Sequence, residues 1–288
     1  MRTPDLMKDS VCFLSIEESG QAKYGGTAFF IRIAVETSVF DYLVTARHCV
    51  ERAASRGSRL SCRVNTDEGS TRAIPLPEKD EWTLSETADI AVVRFEDHHD
   101  LQISLIPGVM FLTDDQIIKE GIGIGDELFL MGLFTQRQGT LRNIPIIRSG
   151  IIAAMPEEPI FNESTGQTYN AYLIEARSIG GLSGSPVFMA YPKRGIQMHP
   201  PPRGFNFMTH EMVLLGVVRG HWDLKSKASS SDFLGDEDSR LNMGIAIVTP
   251  IEELTQLLKT ERLILERRQK LQDVLSELSD ESKDSTAN

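Results

Sequence analysis

The sequence predicts an all-β fold, either two small antiparallel barrels or a sandwich, followed by a C-terminal helix. Three observations predict it. Short β-branched and aromatic runs recur in two groups, with turn residues between them at fairly regular intervals. The alternating βα units of a parallel sheet are not part of that pattern. From Pro250 onward the apolar period changes from that of a strand to that of a helix.

The first group comprises residues 11–16, 27–34, 42–46, 60–64 and 89–95. Glu18-Ser-Gly, Gly25-Gly26 and Arg56-Gly-Ser punctuate it. Residues 97–116 read as a connector carrying His98-His99-Asp100, Pro107-Gly108 and Asp114-Asp115. The second group covers 127–133, 146–153, 172–176, 186–189, 212–218 and 244–248. Two inserts interrupt it. Residues 191–209 contain Pro192, Pro200, Pro201 and Pro202, and 223–240 contain Ser229-Ser-Ser and Asp236-Glu-Asp, so both read as solvated loops. After them, Ile251, Leu254 and Leu258, then Leu271, Val274, Leu275 and Leu278, fall at helical spacing. Thr249 reads as the N-cap and Pro250 as part of the first turn. The domains expected are residues 1–100, a connector at 101–125, a second unit at 126–249, and a helix with polar tail at 250–288. Two readings of that helix stand open: a lid on the second barrel, or a partner-binding arm beyond Glu261.

Composition narrows the function classes. The 288 residues carry 30 Lys and Arg against 41 Asp and Glu, a net charge of −11. That balance argues against broad binding to nucleic acid or an anionic membrane surface. No run approaches the roughly 18 apolar residues of a membrane span. The first residues include acidic ones and have no apolar core, so no secretory signal is expected. The three cysteines, Cys12, Cys49 and Cys62, suit a reducing compartment, and a cytoplasmic location is expected. Their positions give no zinc spacing, and His98-His99 reads as part of a solvated linker. Neither a metal nor a cofactor is expected. Gly121-Ile-Gly-Ile-Gly125 lacks the Lys-Ser/Thr of a phosphate loop.

Three segments carry chemistry. Gly181-Leu-Ser-Gly-Ser-Pro186 lies between two apolar runs, and its small residues allow a sharp turn that exposes a hydroxyl and frees amide N–H groups. Leu43-Val-Thr-Ala-Arg-His48-Cys-Val places a histidine directly after a strand. Thr87-Ala-Asp89-Ile-Ala-Val-Val93 puts a carboxylate at the head of an apolar run, where burial is costly without a partner such as an imidazole. Taken singly, these are also a plain turn, a structural histidine and a strand-edge cap. Their order, His48, Asp89, Ser183, is more specific.

In that order, and in Gly26-Thr-Ala-Phe-Phe-Ile31, Thr45-Ala-Arg-His-Cys49 and Leu214-Leu-Gly-Val-Val218, the chain resembles the serine proteases of the trypsin/chymotrypsin fold over roughly residues 11–258. The resemblance implies two six-stranded antiparallel barrels. It also implies Ser183 as nucleophile, His48 as general base and acid, Asp89 as its orienting group, and the N–H groups of Gly181 and Ser183 as an oxyanion hole. It places Arg177 at the base of the pocket for the residue before the scissile bond, where it would favour acidic side chains. Arg219, Gly220 and His221 would border the substrate. Leu182 stands where secreted trypsins have the Asp that pairs with a new N-terminus, so activation by N-terminal cleavage is not expected. Cys49 lacks the usual cysteine partner in the preceding strand, and a free buried thiol is expected. Ser185 stands where the pattern has a second glycine. These departures are similar to intracellular and bacterial relatives, including the HtrA group, although no PDZ domain is expected here.

The expected function is an intracellular serine endopeptidase acting on proteins or peptides. A partner or a narrow substrate would restrain it through loops 191–209 and 223–240 or the C-terminal helix, as in a bacterial stress or defence effector. The alternative is a protease-fold binding or scaffold module whose catalysis is dormant.

Overall fold

Strands β1 (Val11–Glu18), β2 (Gln21–Val35) and β3 (Ser38–Thr45) form a continuous antiparallel meander. This computed structural model describes residues 5–96, 98–162, 166–176, 181–192, 210–223 and 242–284. The meander is extended by β4 (Leu60–Asn65), β5 (Thr71–Pro75), β6 (Thr83–Leu84), β7 (Ala91–Arg94) and β8 (Ile106–Pro107). The resulting eight-stranded sheet has the order β5-β4-β1-β2-β3-β7-β6, with β8 beside β2. Side chains on β2, β3 and β7 alternate between two buried clusters. Phe29, Ile31, Tyr42, Val44 and Val92 join one, and Ala28, Phe30, Leu43, Ala91 and Val93 join the other. Burial on both faces explains why these strands read as unbroken apolar runs instead of an apolar–polar alternation. Helix α1 (Arg47–Ser55) follows β3 and sinks Val50 and Ala53 into the second of these clusters.

The second unit is a closed barrel. Helix α2 (Asp114–Glu120) leads to β9 (Glu127–Gly132) and β10 (Ile146–Ala154). A separate hairpin, β11 (Ile160–Asn162) with β12 (Gln167–Tyr169), precedes β13 (Tyr172–Glu175), β14 (Pro186–Pro192), β15 (His210–Asp223) and β16 (Asn242–Pro250). The barrel closes in the order β10-β13-β16-β15-β14-β9. Its core is continuous with the outward face of the first sheet, so Leu130, Val187, Leu214 and Val248 share one cluster with Phe29 and Val44.

The chain therefore has the mostly β, chymotrypsin-like fold with a helical C-terminus that its sequence predicts, with one difference: the second unit is the expected closed six-stranded barrel, whereas the first is an eight-stranded sheet in place of a six-stranded barrel. Several local features differ. Asp89 stands ahead of β7 and outside the strand. The expected connector contains α2, whose Thr113-Asp-Asp-Gln116 start is a reciprocal capping box. Pro250 occupies the N-cap position of α3 (Ile251–Leu258), while Thr249 is still in β16. A second helix, α4 (Glu261–Asp284), follows. Leu254, Leu258 and Leu263 are buried in the large cluster. Arg267, also buried, donates to the Tyr42 hydroxyl (3.1 Å) and the Leu258 carbonyl (2.6 Å). Arg262 donates to the carbonyls of Trp82, Asp80 and Glu81. So α3 seats on the barrel, and the first turns of α4 reach across to the first sheet. Most of both inserts, 193–209 and 224–240, lies outside the described residues, as do the side chains of Val274, Leu275 and Leu278.

Candidate active site

Helix α1 begins immediately after the buried end of β3, which fixes the position of its second residue, His48. Asp89 is held in the turn before β7 and is 9% exposed. Its two oxygens grip the same residue: Oδ2 accepts from His48 Nδ1 at 2.7 Å, and Oδ1 accepts from the His48 backbone N–H at 2.8 Å. This pair of hydrogen bonds fixes the imidazole plane and turns Nε2 away from the carboxylate. Burial pushes the Asp89 carboxyl up, but the His48 contacts and then Arg219 overcome it and leave the carboxyl below its usual value. Burial likewise disfavours the charged His48 ring. The Asp89 hydrogen bond and the Cys49 sulfur on the other nitrogen outweigh that effect, and its pKa is raised to about 10.

Ser183 sits on a turn that needs glycine at two places. Gly181 has φ of 100° and Gly184 has φ of 83°. A Cβ on Gly184 would lie 2.1 Å from the Thr27 carbonyl oxygen and 2.4 Å from Thr45 Oγ1. The turn is tied to the first sheet through Thr27, which is fully buried. Thr27 N donates to Ser183 O (2.9 Å), and Thr27 Oγ1 donates to Gly181 O (2.8 Å) while accepting from Leu133 N (2.9 Å). Leu182 points into the core and is fully buried, and no ion pair is open to it. Ser185 is accommodated because Gly132 stands opposite: a Cβ there would come within 2.0 Å of Ser185 Oγ. Among the described residues, no backbone carbonyl takes up the N–H of Gly181 or of Ser183.

Arg219 links the two halves of the site. Its carbonyl accepts from Ser183 Oγ at 3.4 Å, and its Nε lies 3.9 Å from Asp89 Oδ2. Its guanidinium covers the Tyr169 ring at 3.7 Å. The Arg219 side chain, expected beside the substrate, lies near the Asp89 carboxylate. Among the described residues, no hydrogen bond joins Ser183 Oγ to the imidazole. Cys49 Sγ lies 3.7 Å from His48 Nε2. Cys49 is a free, half-buried cysteine, and a Cβ on the facing Gly26 would approach its sulfur to 3.1 Å. Gly220 and His221 pair through their backbones with Ile247 and Ala246 on β16. The His221 side chain and the whole of Arg177 lie outside the described residues.

A family model for the trypsin-like peptidase domain matches residues 26–192, more than half of the chain and the stretch that holds His48, Asp89 and Ser183. The chain belongs to the trypsin-like peptidase family. Among solved structures, this trypsin-like peptidase is similar to Deg5, with 14% identity, 86% of this chain and 87% of that chain covered, and a TM-score of 0.48. It is similar also to human heparin binding protein, with 11% identity, 90% and 93% covered, and a TM-score of 0.46. No curated protein matches the sequence. Thr27 and Tyr169 are the site residues that the sequence reading missed. The signal for Thr27 lies in the Gly26-Thr-Ala-Phe-Phe-Ile31 segment, whereas a lone Tyr169 carries none.

Proposed function

We propose that this trypsin-like peptidase is a serine endopeptidase acting through Ser183, His48 and Asp89. The observation that carries the reading is the twofold grip of Asp89 on His48, in the same cluster as a serine on a glycine-flanked turn. In the proposed reaction the Ser183 hydroxyl leaves the Arg219 carbonyl and engages Nε2. His48 takes its proton as Oγ attacks the substrate carbonyl, then returns it to the leaving amine, and water releases the acyl group. Asp89 holds the tautomer and stabilises the imidazolium. The N–H groups of Gly181 and Ser183 receive the oxyanion, each worth about 3 kcal/mol. Buried Leu182 supports control by a partner or a narrow substrate over control by N-terminal cleavage.

A second reading, a dormant binding module, is favoured by two contacts: Ser183 Oγ on the Arg219 carbonyl, and sulfur beside Nε2. A fluorophosphonate probe separates the readings. An active site gives label on Ser183 in wild type and none in Ser183→Ala. A folded wild type that takes no label establishes the dormant reading. Asp89→Asn should lower turnover about 10⁴-fold through loss of the productive tautomer.

A further inference from the structure

One face of α1 carries His48, Cys49, Arg52 and Ala53, and Arg56, the C-cap residue, continues the spacing of His48 and Arg52 past the helix end. This face lines a cavity of about 270 Å³, closed on its other sides by β1, by the 23–26 segment of β2 and by Leu60. The register of β1 against β2 slips between Leu14 and Ser15, and the irregularity sets the Gly25-Gly26 backbone at the cavity rim. Its apolar lining comes from Leu14, Ile16, Ala53 and Leu60. Three cations line it as well: Lys23, Arg52 and Arg56. Among the described residues, the carboxylate ion-paired to this group is Glu18, on Lys23. Neither guanidinium has an acidic partner within ion-pair distance there, and Glu18 acts on Arg56 only from beyond that distance. In a chain of net charge −11, this is a local reversal of sign.

The cavity also has a fixed place relative to the chemistry. Cys49, which lines it, is 3.7 Å from His48 Nε2. Under the endopeptidase reading, on which this inference rests, Nε2 is the atom that hands a proton to the leaving amine. The chain on the leaving side of the scissile bond must therefore pass the mouth of this cavity. A side chain with a short aliphatic stem and a carboxylate end would lay the stem on Leu14 and Leu60 and bring its charge to Arg52 and Arg56.

We propose that this cavity is a subsite for an acidic side chain within the first three residues after the scissile bond, with Arg52 and Arg56 as its specificity-determining residues. The test uses the full chain and carboxy-amidated peptides. They are identical before the scissile bond and carry Glu, Gln or Lys at each of the three positions after it. At one position or more, wild type should cleave the Glu peptide about tenfold better in kcat/KM than the Gln peptide, with Lys poorest. The ratio should shrink in about 0.5 M salt and fall to about one in Arg52→Ala/Arg56→Ala. Equal rates for Glu and Gln at all three positions overturn the proposal, as does a preference that survives the double substitution. The same peptides titrated into Ser183→Ala separate this subsite from the catalytic reading. Tighter binding of Glu peptides there, abolished by the two arginine substitutions, sustains the subsite even if wild type cleaves nothing. Cleavage by wild type with no Glu preference in either assay retains the peptidase and removes the subsite.

Discussion

Nε2 of His48 faces a sulfur atom, and that neighbour has a kinetic consequence. A general base must be neutral to accept the Ser183 proton. The His48 pKa is raised from 6.5 to about 10, so the neutral ring is scarce at neutral pH and its fraction grows as the pH rises. The kcat/KM profile should accordingly climb above pH 7. Cys49 Sγ accepts from the Nε2–H of the imidazolium and so favours the charged ring. Cys49→Ala should move the acid limb of that profile to lower pH, and a limb that stays in place would remove the sulfur from the account. The same shift has a stability side. A raised pKa means that the His48 contribution is full below pH 6.5 and is lost as the pH climbs toward about 10. The lowered Asp89 carboxyl contributes above its usual 3.8, and that contribution is lost as the pH falls through its folded value.

Among the elements, α4 makes packing contacts that its periodic pattern alone does not reveal. Leu263 is 1% exposed, and Arg267 is 8% exposed and tied to Tyr42 on β3. Ending the chain after Thr260 opens a hole over α3 and leaves the Tyr42 hydroxyl without its partner. A loss of about 3 kcal/mol is expected from the Leu263 site alone, and Tm should fall by roughly 6–10 °C. Ending it after Asp273 removes none of these contacts and should leave Tm nearly unchanged. Differential scanning calorimetry of the two truncations checks both statements. The helix itself was legible from Ile251, Leu254 and Leu258, but its seat was not. Arg262 and Arg267 look like solvent-facing charges in the sequence, and only the distant carbonyls of Trp82 and Asp80 and the hydroxyl of Tyr42 make them structural. Helix α2 was legible in principle, since Thr113-Asp-Asp-Gln116 is a capping box. The short apolar content after it hid a helix of 7 residues inside a connector. The His48, Asp89 and Ser183 positions were readable because each sits on a local motif. Thr27 was legible only as a member of the Gly26-Thr-Ala-Phe-Phe-Ile31 segment, because its hydroxyl and N–H bond to Leu133, Gly181 and Ser183, each more than a hundred positions away.

At the scale of the whole molecule, Thr27 is where the first sheet holds the barrel's serine turn in register. Its hydroxyl serves one donor and one acceptor of the second unit, Leu133 N and Gly181 O, and its carbonyl accepts from Thr45 Oγ1 (2.7 Å). Thr27→Val keeps the shape and removes the hydroxyl. Two buried backbone groups would then be left unpaired, and a loss of about 1–3 kcal/mol is expected. The loss should appear in chemical denaturation. Because Gly181 carries one of the two proposed oxyanion donors, turnover should fall more than substrate affinity does. A weaker affinity with turnover unchanged would place the effect in binding.

The facing of Gly26 and Cys49 has a consequence for how this chain meets an oxidising environment. A Cβ placed on Gly26 lies 3.1 Å from the sulfur, close to the reach of a normal C–S bond followed by an S–S bond of about 2.04 Å. One substitution, Gly26→Cys, should therefore crosslink β2 to α1 spontaneously in air. Mass spectrometry of the alkylated protein would show the loss of two thiols, and a chain that alkylates fully would contradict the geometry. The staple would take the sulfur from Nε2 and close off the rim of the cavity in the same step. A single glycine thus keeps this copy of the fold dependent on a reduced thiol beside its histidine, one codon away from a covalently braced form.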